Sequence, residues 1–272
     1  MAAKAHVLNI RRQMPRLGVR KLHYLLKDTF DKEQIAVGRD GLFDLLREEG
    51  LLIHRKKKYI RTTNSRHWMH KYSDLIQELP ITLPEQVWVA DITYISVGKS
   101  YAYLHLITDA YSKKIMGYRL SENLAATASL QALQMALKNR NYNHPLIHHS
   151  DRGLQYCSAI YTKTLEQHGI CSSMTQNGSP YDNAIAERIN GILKDEFGMD
   201  DTFETLADAD KAIKNSIIIY NQQRPHLSNH LLTPSQMHEQ KSLKPATWRT
   251  KITGKRTLKC SFSRDFLPSL QL

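Results

Sequence analysis

Cysteine is scarce in this chain. Its three copies among 272 residues, Cys157, Cys171 and Cys260, suit neither a disulfide framework nor a Cys-x-x-Cys zinc site. No apolar run approaches the roughly 18–20 residues that a membrane-spanning helix needs. The opening residues Met1 to Ile10 lack the basic-then-apolar pattern of a secretory leader. Internal repeats and low-complexity tracts are missing as well. These absences point to a reducing cytoplasm or nucleoid, with no membrane partner.

What is present is enough apolar sequence for a core, 41% hydrophobic residues, and a basic surplus of +12. The length exceeds one ordinary domain of roughly 100–150 residues, so two or three units are expected. The surplus is unevenly placed. Residues 1–62 carry 15 basic against 7 acidic residues, and 241–272 carry 8 against 1, whereas 63–240 carry 15 against 18. The basic ends read as flanks that hold a polyanion such as DNA, with a pair of solvated tails as the bland alternative. The slightly acidic centre is where carboxylate chemistry is sought.

Along the chain, Leu17, Leu22, Leu25 and Leu26 follow Pro15 near helical period, and Leu42, Phe43, Leu45 and Leu46 form a second run stopped by Gly50. Two short helices followed by Arg55-Lys56-Lys57-Lys58 suit a helix-turn-helix DNA-binding domain over 1–61; a plain helical bundle is the alternative. Residues 62–85 read as a linker. A β-rich run follows over 87–95, turned by Gly98-Lys99-Ser100 into a second strand to Thr108, and a third spans 114–120. A helix over 126–140, a short strand at 146–149, a helix near 158–168, a strand at 170–175 and helices at about 182–197 and 204–221 complete the pattern. Strands first hairpin-linked and then alternating with helices predict an α/β fold with a mixed sheet. The expected divisions are a core over 86–198, a helical extension over 199–240 and a basic tail over 241–272.

Three acids stand out. Asp91 sits inside the β-rich run beside Val89 and Ile92, where aspartate is depleted and an unpaired carboxylate is costly to bury. Asp151 follows the short strand at its end, and Glu187 lies on the helix after the 176–181 loop. If the two strands are neighbours, both aspartates converge, which suits hard cations that clamp an in-line phosphoryl displacement. Each acid alone has another reading: Asp91 pairing with a buried arginine, Asp151 capping a turn with Gly153, Glu187 bridging to Arg188.

Three blocks carry a resemblance: Trp88-Val89-Ala90-Asp91-Ile92-Thr93-Tyr94-Ile95, His149-Ser150-Asp151-Arg152-Gly153-Leu154-Gln155-Tyr156 and Gly178-Ser179-Pro180-Tyr181-Asp182-Asn183-Ala184-Ile185-Ala186-Glu187. They resemble the signature blocks of DDE transposases and retroviral integrases. More narrowly, they resemble the downstream-frame product of two-frame bacterial insertion sequences. Thirty-five residues between Asp151 and Glu187 match that group's spacing. Tyr220 to His226 with Leu232-Thr233-Pro234 matches its C-terminal motif, and Gly18 to Leu22 its helix-turn-helix. Two departures are Lys113 after Ser112, where arginine is common, and Arg188 after the glutamate, where a small residue is usual.

The resemblance implies a ribonuclease-H-like catalytic core with Asp91, Asp151 and Glu187 as catalytic residues and ligands of two Mg²⁺ ions, Mn²⁺ substituting. It implies cleavage of insertion-sequence ends and their transfer into DNA by transesterification. DNA contacts are expected from Lys194, Asn183 and Arg152, and from Arg20, Lys21, Arg55, Lys56, Lys57 and Lys58. A homo-oligomer on DNA is expected, and fusion to an upstream-frame helix-turn-helix and coiled-coil product. The alternatives are a DNA-binding regulator or transposition inhibitor without strand transfer, and a purely hydrolytic nuclease. Asp109 reads as strand-end structure, with a fourth acid of the site as the alternative, and Tyr94, Tyr101, Tyr103 and Tyr111 as sheet packing rather than base-stacking platforms. His67, His70, His148 and His149 lack cysteine partners at ligand spacing, so no zinc is expected.

Overall fold

The computed structural model describes residues 2–53, 69–77, 79–176, 184–240 and 242–245. Asn183, the Arg55–Lys58 run and nearly all of the basic tail lie outside the described residues.

Three helices, not two, open the chain: α1 (Ala2–Gln13), α2 (Val19–Lys32) and α3 (Arg39–Glu48). The first escapes the periodicity because it buries only Ala3 and Val7 fully, a stripe too thin to register in sequence. By contrast α2 buries Val19, Leu22, Leu26 and Phe30, and α3 buries Leu42 and Leu46. These spacings of three and four place each set on one face.

Five strands follow among the described residues: β1 (Val87–Val97), β2 (Ser100–Asp109), β3 (Ile115–Ser121), β4 (Ile147–Ser150) and β5 (Cys171–Met174). They form one sheet in the order β3-β2-β1-β4-β5. The first three are antiparallel hairpins, and Gly98 takes the left-handed φ of +55° that the tight β1–β2 turn requires. The last two run parallel to β1, and all four residues of β4 are buried, as expected of a strand covered on both faces.

Helices α4 (Ala126–Lys138), α5 (Leu154–Cys157) and α6 (Ala159–Gln167) cover one face, burying Trp88, Ala90, Ile107, Leu133, Tyr161 and Leu165 together. The other face is covered by α7 (Ala184–Phe197) and α8 (Leu206–Gln222), ahead of the short C-terminal α9 (Pro234–His238). The α2 and α3 apolar stripes join the same buried cluster as Ile189, Leu193, Ile213 and Ile217. The N-terminal helices are therefore packed on the α7–α8 layer. No helix among the described residues is long and apolar enough to cross a membrane.

Charge reinforces that junction. Arg16 pairs with Asp200 at 2.6 Å and Asp201 at 3.0 Å. Glu196, near the end of α7, accepts from Arg224 on both oxygens (2.8 and 2.7 Å) and from Lys21 at 2.7 Å. The Arg224 side chain is 1% exposed. Burial, with Arg224 nearby, brings Lys21 down to about 8 despite the opposing Glu196. Asn221 in the same C-terminal motif closes the sheet edge: its side chain accepts from Ile115 N at 2.9 Å and donates to Ile115 O at 3.0 Å.

The expected linker is partly structural. Leu75 N donates to Ser173 Oγ at 2.9 Å and Met174 N to Ser73 O at 3.4 Å, so this stretch covers the outer edge of β5. On β3, a Cβ at Gly117 would sit 2.1 Å from Ala132 O and 2.7 Å from Ala136 N. Gly117 thus permits the close approach of α4. Gly117→Ala is expected to cost about 3 kcal/mol, the upper end for overpacking against backbone, read from urea denaturation midpoints.

Candidate active site

The sheet register brings the two aspartates together. β1 and β4 pair in parallel as far as Val89 opposite His149; Asp91 lies two residues further along β1, and Asp151 is the first residue past the end of β4. The period of two puts Asp91 on the face that carries Val89, beneath α7, where the Asp151 charge reaches it. Asp91 is partly buried; its Oδ1 accepts from Ile92 N at 2.9 Å and its Oδ2 from Asn190 Nδ2 at 2.7 Å. Asp151 Oδ1 accepts from Gly153 N at 3.0 Å. A Cβ on Gly153 would meet that same carboxylate oxygen at 3.0 Å, so glycine lets the loop wrap the acid closely.

The electrostatics follow from that placement. Burial pushes the Asp91 carboxyl up to about 7, the charge of Asp151 adds to the rise, and Glu187 contributes less. Hydrogen bonds from Ile92 and Asn190 oppose it. Glu187 lies in the first turn of α7, exposed, and burial raises its carboxyl as well. As the side chains stand, no group of three or more His, Cys, Asp or Glu among the described residues is gathered closely enough to hold a metal ion.

An integrase core domain matches residues 82–180, and a second form of that domain matches residues 168–234. The chain is 39% identical over 207 residues to the uncharacterized 31 kDa protein of insertion element IS600 of Shigella sonnei, covering 75% of this chain and 76% of that protein. It is 34% identical to the transposase for insertion sequence element IS629 of the same organism, covering 76% of this chain and 68% of that one. The chain belongs to the insertion-sequence transposases with an integrase core. A chain of the simian T-cell lymphotropic virus intasome, solved in complex with PP2A regulatory subunit B56 gamma, shares the fold. It has a TM-score of 0.52 and 18% identity, covering 94% of this chain and 81% of that chain. The transposase sheet is thus the ribonuclease-H-like mixed sheet expected from sequence.

Those of the remaining predicted site residues that are described are dispersed. Arg152 donates to Thr175 O at 2.6 Å, tying the β4 and β5 ends together. Lys194 lies two helical turns beyond Glu187 on α7, partly exposed. Arg20 is exposed on α2. Lys21 departs from the DNA-facing position expected of it: burial in the domain junction commits its ammonium to Glu196. Asp109 is fully buried at the β2 end, accepting from Glu85 N, Ser112 N and Ser112 Oγ at 2.6–2.7 Å. Tyr94 packs edge-on against Tyr101 and Tyr103 across the hairpin. His148 is buried in the core against the Tyr161 hydroxyl at 2.8 Å.

The residue that sequence reading missed is Asn190. It lies three positions after Glu187, on the same helical face, and holds Asp91 directly. That spacing was the available signal.

Proposed function

We propose that Asp91, Asp151 and Glu187 are the catalytic residues with which this transposase cuts insertion-sequence ends and joins them to target DNA. The observation that carries this reading is the closeness of Asp91 on β1 to Asp151 just past the end of the adjacent parallel β4, near enough for the Asp151 charge to raise the Asp91 carboxyl, with α7 hydrogen-bonded to Asp91 through Asn190. A carboxyl whose proton affinity is raised by a neighbouring carboxylate, with an exposed third on α7, belongs to a donor set of hard oxygens short of positive charge. Such a set fits divalent cations of the Mg²⁺ type, and Mn²⁺ by the same chemistry.

A pair of Mg²⁺ ions bound there would supply Lewis-acid activation of the attacking oxygen and stabilisation of the leaving oxygen. The protein's own residues do the rest. Asp91 would hold the metal as its carboxylate, and Asn190 fixes its Oδ2. The Gly153 amide orients Asp151. Glu187 enters from the exposed end of α7. In strand transfer a DNA 3′-hydroxyl attacks a target phosphodiester, one P–O bond forming as another breaks, with no covalent enzyme intermediate. Lys194, on the Glu187 helix and partly exposed, and Arg20, exposed on α2, would contact DNA phosphates in this reading; Arg152 supports the strand ends beside Asp151. A multimer on DNA, and an upstream-frame helix-turn-helix and coiled-coil partner or fusion, complete the reading on the family resemblance.

The deciding assay is incubation of pre-cleaved element-end DNA with a target plasmid and Mg²⁺. Joined products are expected; nicked plasmid without joining would replace the transferase with a nuclease. Asn190→Ala is expected to raise the Mg²⁺ needed for half-maximal joining by roughly 10–100-fold, as loss of a ligand-orienting partner does, and a Mg²⁺ titration reads it.

A further inference from the structure

A cavity of about 790 Å³ lies where the N-terminal helices, α7 and the stretch after α8 meet. Six cationic side chains line it against three acidic ones. Two of those acids are already engaged, Glu196 by Lys21 and Arg224, and Asp200 by Arg16. Arg188, beside Glu187, is exposed and makes no hydrogen bond or ion pair with any described residue. His226 also lines the cavity; it is 6% exposed, and its Nε2 is buried with no hydrogen-bond partner among the described residues. Burial first, and then the charges of Arg224, Lys21, Lys113 and Arg188, hold this imidazole well below its usual range. The ring is therefore neutral, amid cations that outnumber their counter-charges. A buried ring nitrogen left unmatched is costly. It is explained if an anion completes the site.

We propose that this cavity is a phosphate-binding site that holds a backbone phosphodiester of the DNA strand led toward Asp91, Asp151 and Glu187, with Arg188 and His226 as its direct contacts. Lys21 and Arg224 set the positive field behind them. The choice of DNA over a free phosphate rests on the transposase reading; the anion chemistry does not. Arg188 here acquires a purpose at the position where the family usually has a small residue.

Anisotropy titrations of the full chain with a labelled DNA duplex, in EDTA and at rising KCl, test the proposal without requiring catalysis. Arg188→Gln is expected to weaken binding several-fold and to flatten the log–log salt slope by about 1, one phosphate contact. His226→Leu is expected to weaken binding in the same direction. Arg188 is exposed, so its variant reports on binding even if the His226 variant misfolds. In parallel, inorganic phosphate at matched ionic strength should raise the wild-type melting temperature more than that of Arg188→Gln. Equal phosphate stabilisation and an unchanged salt slope would overturn the site. Phosphate stabilisation lost with Arg188 but an unchanged DNA slope would overturn the DNA assignment. Failed joining by wild type with these binding effects intact would strike the catalytic reading alone.

Discussion

Asp91→Asn is expected to lower Mg²⁺-dependent strand transfer at least about 1,000-fold, because Lewis-acid stabilisation is worth several kcal/mol and each 1.4 kcal/mol is tenfold. DNA affinity in EDTA should stay unchanged, since Asp91 contributes no positive charge. The substitution keeps the shape and an acceptor for Ile92 N, so the fold is retained. Linkage supplies the control. The folded carboxyl of Asp91 is raised to about 7 from the ordinary 3.8, so the fold binds its proton more tightly than the unfolded chain. In the metal-free protein, stability from this group falls as pH rises from about 4 through about 7. Asparagine has no such loss. In EDTA at pH 8 the variant should therefore melt higher than wild type, with the advantage fading toward pH 4. Strand transfer at the wild-type rate in a well-folded variant would remove Asp91 from the chemistry.

Glu196→Gln is expected to be the most damaging single change to stability, at about 3–5 kcal/mol, the range for stripping the partner from buried charges. Two cations depend on this carboxylate, and one of them, Arg224, is almost wholly excluded from water. A glutamine retains one acceptor but no charge. At the scaling for larger domains this loss lowers the melting temperature by roughly 10 °C, measurable by calorimetry or circular dichroism. Glu196→Asp should fall between the two, keeping the charge at poorer reach. A loss below about 1 kcal/mol would mean that water reaches Lys21 and Arg224 and compensates them.

Much of the architecture was legible because its signals are local. The β-rich run around Asp91, the Gly98 turn and the helix that Gly169 ends each follow from residues within a few positions. The proposed catalytic trio rests on a different signal, the three resembling blocks; of its members only Asp91 is an acid inside a strand, where the cost of burying it calls for an explanation. The missing parts are non-local or weak. Glu196 and Arg224 lie 28 residues apart, and nothing in either segment says that they meet. Lys21, read as a DNA contact from its place in the resembling motif, lies 175 residues from the acid that engages it. Helix α1 was overlooked because two buried residues cannot mark a face. Asn190 was the avoidable omission, since its three-residue offset from Glu187 was in plain view.

Helix α7 has one more consequence. It is an unbroken run of 14 residues, with Glu187 in its first turn and Glu196 next to its last residue. Nine residues at 1.5 Å each make the separation about 13.5 Å along a stiff rod. One end carries Glu187, the third acid of the proposed site, and the other is ion-paired to Lys21 of α2. The two ends share six degrees of rigid-body freedom, so they cannot be repositioned separately. A tilt set at the domain junction becomes a displacement of Glu187.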